Sequence, residues 1–143
     1  MLKGKKILIA GVANKYSIAA GIAKAMKDNG AEVALTYQNE RLLKNVAKIA
    51  EELDIETLIE CDVACDDSIA SSANIIKSKW GTFDGFVHSI GFAPSDQLVG
   101  NFVDVTTREG FKIAHDISSY SFTALAKAYK PMLNDSSALL TLT

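Results

Sequence analysis

A segment near the N-terminus has the residue types and spacing needed to bind a pyrophosphate. It runs from Gly11 to Gly21, directly after an apolar run and at the start of a stretch with helical periodicity. The first turn of a helix has free backbone N–H groups and the positive end of the helix dipole, so an anion can bind there if small residues let the backbone come close. The usual dinucleotide motif is Gly-x-Gly-x-x-Gly. Only Gly11 and Gly21 remain here, with Ser17 between them, so the segment is weak evidence by itself.

A second candidate, Gln38, ends the next predicted strand, where NAD-binding folds often place an acidic residue for the adenosine ribose. A neutral amide can exchange hydrogen bonds with ribose hydroxyls, but it offers no charge to a 2′-phosphate, so NAD is favoured over NADP. Arg41 lies three residues later and could reach a phosphate. A surface glutamine at a strand end is the alternative interpretation.

Two further candidates follow later strands. Asp62 and Val63 suit an adenine pocket, because a carboxylate can accept a hydrogen bond from the exocyclic amine and an apolar side chain can cover the ring. An ordinary loop or helix-capping aspartate is the alternative. Ile90 and Gly91 close another strand, where a small residue permits backbone approach to the nicotinamide-side ribose; by periodicity alone, Ile90 is a core residue.

The remaining reactive side chains favour structural interpretations. None of the four tyrosines is followed by lysine four residues later, the pair that lowers a phenol's pKa for proton transfer in reductases of this architecture. His88 lies in an apolar strand, as a core histidine would, and His115 lies within a predicted helix. Cys61 and Cys65 lack two further ligands at suitable spacing, so they are expected to be reduced thiols and no metal site is expected.

The elements that must position these residues alternate between strands and helices. Short apolar runs separated by helical periodicity predict βαβ units and a parallel sheet. The predicted strands are Lys6–Ala10, Glu32–Tyr37, Thr57–Cys61, Phe83–Ile90 and Ala138–Thr143. Right-handed crossovers then give the order 3-2-1-4-5, a doubly wound α/β sheet of the Rossmann type. Ligands bind beyond the carboxyl ends of such strands, which is where the candidate residues fall.

Capping and stop residues predict the helix boundaries. The first helix begins near Ser17 and stops at Gly30, and Asn39 caps the second. Asp66 or Asp67 caps a third helix that stops at Gly81. After a long connection over 92–105, a capping box at Thr106 and Glu109 opens a helix that runs to Pro131.

Size and composition limit the class of protein. A chain of 143 residues fits one domain, and 48% hydrophobic with 22% charged residues is ordinary for a soluble globular protein. The net charge is −2 and no basic cluster stands out, so neither nucleic acid nor an anionic membrane is an expected partner. The apolar runs are too short for a membrane span or a signal peptide, and the cytoplasm is the expected location.

The motif segments together resemble the bacterial enoyl-acyl-carrier-protein reductases of the FabI type, a divergent branch of the short-chain dehydrogenase/reductase family. The likeness covers essentially the whole chain, and the segments around Ile90 and Ile117 are specific to this branch. Ordinary family members have Asn-Asn-Ala-Gly where this chain has His88 to Gly91. The matching segments are Gly11–Ala19, Thr36–Asn39, Cys61–Val63, Phe83–Pro94 and Thr107–Phe122.

The resemblance implies NADH-dependent reduction of the trans-2 double bond of enoyl-acyl carrier protein, in fatty acid biosynthesis. The residues it implies for NADH binding are Gly11, Ser17, Ile18, Gln38, Asp62, Val63 and Ile90, and Ala93 would lie against the substrate. It also implies a homotetramer, with the helix over 107–128 at a dimer interface.

The family's catalytic tyrosines and lysine would lie beyond Thr143. Residues 1–143 are therefore expected to form one NAD-binding Rossmann domain that is incomplete at its C-terminus and inactive in isolation. A non-catalytic NAD-binding or assembly module is the alternative.

Overall fold

The sheet has five parallel strands in the order β3-β2-β1-β4-β5, as the sequence predicts. The structure is a computed structural model and describes residues 1–142. The strands are β1 Lys6–Ala10, β2 Glu32–Tyr37, β3 Thr57–Glu60, β4 Phe83–His88 and β5 Leu133–Thr141. β3 and β4 thus end one and two residues earlier than predicted. Thr143, which the sequence placed in the last strand, lies outside the described residues.

Helices cover both faces of this sheet. They are α1 Ile18–Asp28, α2 Glu40–Glu52, α3 Asp66–Trp80, α4 Phe102–Val105, α5 Arg108–His115 and α6 Ser121–Tyr129. A π-helical segment, Asp116–Tyr120, joins α5 to α6, and 3₁₀ turns occupy Ser95–Gln97 and Lys130–Met132. No helix among residues 1–142 is long and apolar enough to cross a membrane.

The core consists of two apolar layers separated by the sheet. Along β1, Ile7 and Ile9 pack into the layer beneath α1 and α2, whereas Leu8 and Ala10 pack into the layer beneath α3 and α6. All four residues are at most 8% exposed. A strand buried on both faces needs a continuous apolar run rather than an alternating one, which is why Lys6–Ala10 predicts a central strand.

Several predicted helix ends differ from the structure. Thr107, not Thr106, caps α5: its Oγ1 accepts from Gly110 N at 3.0 Å. Thr106 instead ends α4 and donates to the Phe102 carbonyl. Neither Asp66 nor Asp67 caps α3, because both lie inside it and Cys65 holds the N-cap position without a side-chain bond. The predicted single helix to Pro131 is divided by the π-helical segment.

The last strand begins five residues earlier than predicted. Leu133 pairs with Phe83, and pairing resumes at Ala138 opposite Gly85, so extra residues bulge from β5 between these points. Asn134 Nδ2 donates to Asp84 Oδ1 at 3.0 Å, which ties the bulge to β4. The bulge carries polar residues, and the alternation used to predict strands does not continue through it.

Candidate functional site

The candidate site is a cleft at the carboxyl edge of the sheet, where β1, β2, β3 and β4 end. The sequence-predicted residues that line it are Gly11, Gln38, Asp62, Val63 and Ile90. Its other walls are Val12, Ala13, Thr36, Tyr37, Leu42, Cys61, Ser89, Gly91, Phe92 and Ile117. In an open parallel sheet a ligand binds at this edge, where the strand order reverses beside β1. The fold therefore brings together residues that are far apart in the chain.

Two walls of the cleft, the turn after β1 and the end of β4, pass close to each other at Gly11. Its φ is +106°, a conformation that residues with a side chain rarely adopt. A Cβ atom at this position would lie 1.9 Å from the Ser89 carbonyl oxygen and 3.2 Å from Ile90 Cγ1. Only glycine lets the turn after β1 pass against the end of β4. Gly21, the other fingerprint glycine, lies within α1 with nothing within 4 Å of an added Cβ.

Ser17 shapes the turn between β1 and α1 rather than capping the helix. Its Oγ accepts from Ala13 N and Asn14 N, both at 3.1 Å, and makes no cap bond to α1. The first helical turn therefore receives no side-chain cap, which leaves the positive end of the helix dipole without a side-chain partner. Ser17 and Ile18 are not among the residues that line the cleft, and the Ile18 side chain is 65% exposed.

Asp62 and Val63 form one end of the cleft, close to Gln38. Asp62 Oδ1 accepts from Ala64 N at 3.0 Å, and Asp62 N donates to Ser68 Oγ at 2.9 Å. One carboxylate oxygen of Asp62 therefore stabilises the loop, as the alternative interpretation expected. Asp62 also lines the cleft. Val63 is half-buried against the core layer of α3, and the Gln38 side chain is exposed at the end of β2.

The segment after β4 forms the other end of the cleft together with Ile117. Ser89 N donates to Ala10 O at 2.9 Å, which continues the β1–β4 pairing one residue beyond the strand. Ile90, half-buried, and Phe92 then line the cleft, with Ile117 of the π-helical segment nearby. Ala93 follows Phe92 but is not among the lining residues.

Two titratable side chains of the cleft, Tyr37 and Cys61, have raised pKa values and stay neutral. Burial, followed by the carboxylates of Glu60 and Glu40, raises the pKa of Tyr37. Burial also raises the pKa of Cys61, so its thiol stays neutral. Among the residues that line this cleft there is no lysine, arginine or histidine. Nor do residues 1–142 contain a group of three His, Cys, Asp or Glu side chains placed to hold a metal ion.

His88 is a core residue, as predicted. It is fully buried, and its Nδ1 and Nε2 pair with Thr141 Oγ1 at 2.9 Å and Ser121 Oγ at 2.7 Å. Burial lowers the pKa of the imidazole, which therefore stays neutral. His115 lies on α5, exposed, with its ring stacked on Phe111. Neither histidine lines the cleft.

Sequence reasoning missed several lining residues. Thr36, Tyr37 and Cys61 stand at strand ends, so their positions could have been inferred from the same edge rule that located Gln38 and Asp62. The positions of Leu42, Phe92 and Ile117 could not be inferred in this way, because these residues lie on a helix, on the π-helical segment or in an irregular connection rather than at strand ends. Only the tertiary packing determines which of their side chains faces it.

Comparison with known proteins places this fold and cleft in one family. Residues 11–143 match the family model described as enoyl-(acyl carrier protein) reductase. The chain belongs to this family.

Curated relatives carry the same description. The chain is 59% identical over 141 residues to enoyl-[acyl-carrier-protein] reductase [NADH] FabI of Escherichia coli, covering 99% of this chain and 54% of the relative. It is 53% identical over 142 residues to the protein of the same name from Enterococcus faecalis, covering 99% and 56%. The chain thus spans about half the length of these relatives.

Solved structures agree with this assignment. The enoyl-[acyl-carrier-protein] reductase (NADH) of Aquifex aeolicus superposes with a TM-score of 0.94 at 43% identity, covering 99% of this chain and 56% of that one. The Anaplasma phagocytophilum reductase, crystallised in complex with NAD, gives a TM-score of 0.93 at 39% identity, covering 99% and 54%.

Proposed function

We propose that the protein containing this chain is an NADH-dependent enoyl-acyl-carrier-protein reductase of fatty acid biosynthesis, and that residues 1–143 are its NAD-binding Rossmann domain. The observation that carries this proposal is the cleft around Gly11, in a chain that belongs to the reductase family. The substrate is a trans-2-enoyl thioester of acyl carrier protein. When bound, NADH would supply a hydride to the β-carbon of this substrate, and protonation of the resulting enolate would complete the reduction.

The described residues fit an extended dinucleotide. Gly11 lets the turn after β1 pass against the end of β4, and a pyrophosphate would lie beside the first turn of α1, where Ser17 and Ile18 supply the turn and the helix start. Gln38, Asp62 and Val63 line the cleft, where Gln38 would bind the adenosine ribose and Asp62 with Val63 would bind the adenine.

Ile90 lines the opposite end of the cleft and would lie against the nicotinamide half. Ala93, which follows the cleft wall at Phe92, is proposed to meet the substrate. In this arrangement the chain binds and orients the cofactor, and the apolar walls of Ile90, Phe92 and Ile117 exclude water from the reacting end.

The enolate must receive its proton from another part of the protein. Tyr37 is the only tyrosine among the residues lining the cleft, and it precedes Gln38 at the end proposed for the adenosine, opposite the end proposed for the nicotinamide. We therefore place the tyrosines and lysine of the family outside residues 1–143. The 143-residue polypeptide alone is expected to show no turnover.

The proposed assembly is a homotetramer in the cytoplasm. On α5 and the π-helical segment, Phe111 is 62% and Tyr120 is 52% exposed, while Leu125 of α6 is fully buried against the sheet. The Phe111 ring stacks on His115 and still remains largely exposed, and a second subunit would cover these apolar side chains.

Steady-state kinetics on the protein expressed from its complete reading frame test the proposal. With a trans-2-enoyl thioester, kcat/KM is expected to be higher with NADH than with NADPH, because no cation lines the cleft near Gln38 to pair with a 2′-phosphate. A preference for NADPH would contradict this and implicate Arg41. Binding of NADH without turnover would favour the non-catalytic module.

A further inference from the structure

Two glutamates lie next to the end of the cleft proposed for the adenosine. Glu60 ends β3, and its Cα pairs with that of Tyr37, the last residue of β2. Glu40 is the first residue of α2, three positions after Tyr37. Both glutamates are exposed, and neither is among the residues that line the cleft or that the proposed cofactor site uses.

The alternation of β3 places Glu60 on the face of the sheet that α2 covers. Leu58, two residues earlier, packs against the apolar layer beneath α1 and α2, and Tyr37 packs against the same layer. Side chains two residues apart on a strand lie on one face of the sheet. Glu60 and Tyr37 are therefore neighbours on two adjacent strands and on one face.

The Tyr37 phenol is exposed to the field of both carboxylates. Burial has the largest effect on its pKa, and the negative charges of Glu60 and then of Glu40 raise that pKa further. The charges disfavour the phenolate through space, and they disfavour any other anion at this position in the same way. Because Tyr37 lines the cleft, the field of Glu60 acts within the cleft itself.

The same end of the cleft also has features that attract an anion. α2 has 13 residues, and its N-cap residue Asn39 makes no side-chain bond to the first turn, so no cap offsets the positive end of the helix dipole. Arg41 is exposed in this turn and forms no ion pair with residues 1–142. The dipole and Arg41 favour a phosphate here, and the carboxylates of Glu60 and Glu40 oppose them.

We propose that Glu60, supported by Glu40, is a specificity-determining residue that excludes NADPH by electrostatic repulsion of its 2′-phosphate. This inference rests on the proposed function, in which the adenosine ribose lies at Gln38. NADPH differs from NADH only in this phosphate, which carries about two negative charges at neutral pH. The neutral amide of Gln38 provides no attraction for it, whereas Glu60 adds the repulsion that discrimination between similar ligands often requires.

The test measures kcat/KM with NADPH and with NADH for Glu60→Gln, in the protein expressed from its complete reading frame and with a trans-2-enoyl thioester as substrate. Removal of the charge is expected to raise kcat/KM with NADPH by about three- to fivefold, the size of an exposed charge interaction, and to change kcat/KM with NADH by less than about twofold. Glu60→Lys reverses the charge and should raise the NADPH value further.

A matched variant and a change of salt separate a local field from other effects. Glu56→Gln removes an exposed glutamate at the opposite end of β3, with the same change in net charge, and should leave the ratio of the two kcat/KM values unchanged. Raising the ionic strength from about 0.1 M to about 1 M shortens the Debye length from about 10 Å to about 3 Å. This should reduce the wild-type preference for NADH more than that of Glu60→Gln.

Four outcomes would contradict the inference. Unchanged kcat/KM with NADPH in both Glu60 variants would overturn it without affecting the proposed function. So would equal gains in Glu60→Gln and Glu56→Gln, because the effect would then follow net charge rather than position. Losses with both cofactors and a lower Tm would assign Glu60 a structural role instead. A wild-type protein that prefers NADPH or binds neither cofactor would overturn the proposed function itself, and the role of Glu60 with it.

Discussion

Among single residues, Gly11 has the strictest requirement for its type. Its positive φ and the 1.9 Å separation between an added Cβ and the Ser89 carbonyl act together, so neither a rotamer change nor a small side chain relieves the conflict. The atoms that an added Cβ would meet belong to the Ser89 backbone, and moving them would displace the segment that carries Ile90.

Gly11→Ala is expected to weaken NADH binding by about tenfold or more, because the turn and the cleft wall must separate. The matched control is Gly21→Ala, where an added methyl group meets nothing within 4 Å and alanine is the better helix former. Calorimetric titration of both variants provides the comparison. Equal NADH affinity in the two variants would show that Gly11 does not shape the binding site.

His88 gives the protein a pH-dependent component of stability. Its folded-state pKa is lowered by burial, so at mildly acidic pH the unfolded chain binds more protons than the folded chain. This stability is fully present above the ordinary histidine pKa of about 6.5 and is lost as the pH falls below it toward the lowered folded value.

Urea unfolding between pH 7.5 and pH 5, which lie about one unit above and about one and a half units below that value, should therefore show a falling free energy of unfolding, by up to about 1.4 kcal/mol for each unit of pKa difference. His88→Gln should reduce the slope, whereas His115→Gln, an exposed change, should leave it in place. If the free energy of unfolding changed equally with pH in the wild type and in both variants, titratable groups other than His88 would be responsible.

For the secondary-structure elements, the sequence predicts the strand order better than it predicts where individual helices and strands begin and end. β1 and β2 match because their apolar runs are buried on both faces and stop at turn residues. The divided helix after Thr107 was not predicted, because its apolar residues keep a helical spacing that does not reveal a local π turn. The same limit explains why Ile117 was missed as a lining residue.

The helix cap after the long connection could not be chosen from spacing alone. Thr106 and Thr107 are adjacent, and both precede an acidic residue at nearly the right interval. The structure selects Thr107 because Gln97 Oε1 accepts from both Thr107 N and Thr107 Oγ1, which fixes this residue at the start of α5. Gly110 leaves the space that the Gln97 side chain fills.

Thr107→Ala is accordingly expected to lower the free energy of unfolding by about 1 kcal/mol, the usual value of an N-cap threonine. Thr106→Ala, which removes only the bond to the Phe102 carbonyl of the short helix α4, should lower the free energy of unfolding by less. Thermal or urea denaturation of the two variants measures the difference. A larger loss in Thr106→Ala would contradict the assignment of the cap.

At the scale of the molecule, exposed apolar side chains point to assembly. In the protein expressed from its complete reading frame, light scattering is expected to give the mass of a tetramer. Phe111→Asp should shift that mass downward, because it places a charge in the apolar surface of α5. Ile75→Asp on α3, also exposed, serves as the control. A wild-type monomer at micromolar concentration would contradict the proposed assembly.

A crystal structure of the protein from its complete reading frame with NADH bound tests the proposed cofactor site most directly. The proposed site predicts the pyrophosphate beside Gly11, the adenine against Asp62 and Val63, and the nicotinamide near Ile90. A cofactor bound in the reverse orientation, or outside the cleft at the carboxyl edge of the sheet, would contradict the account.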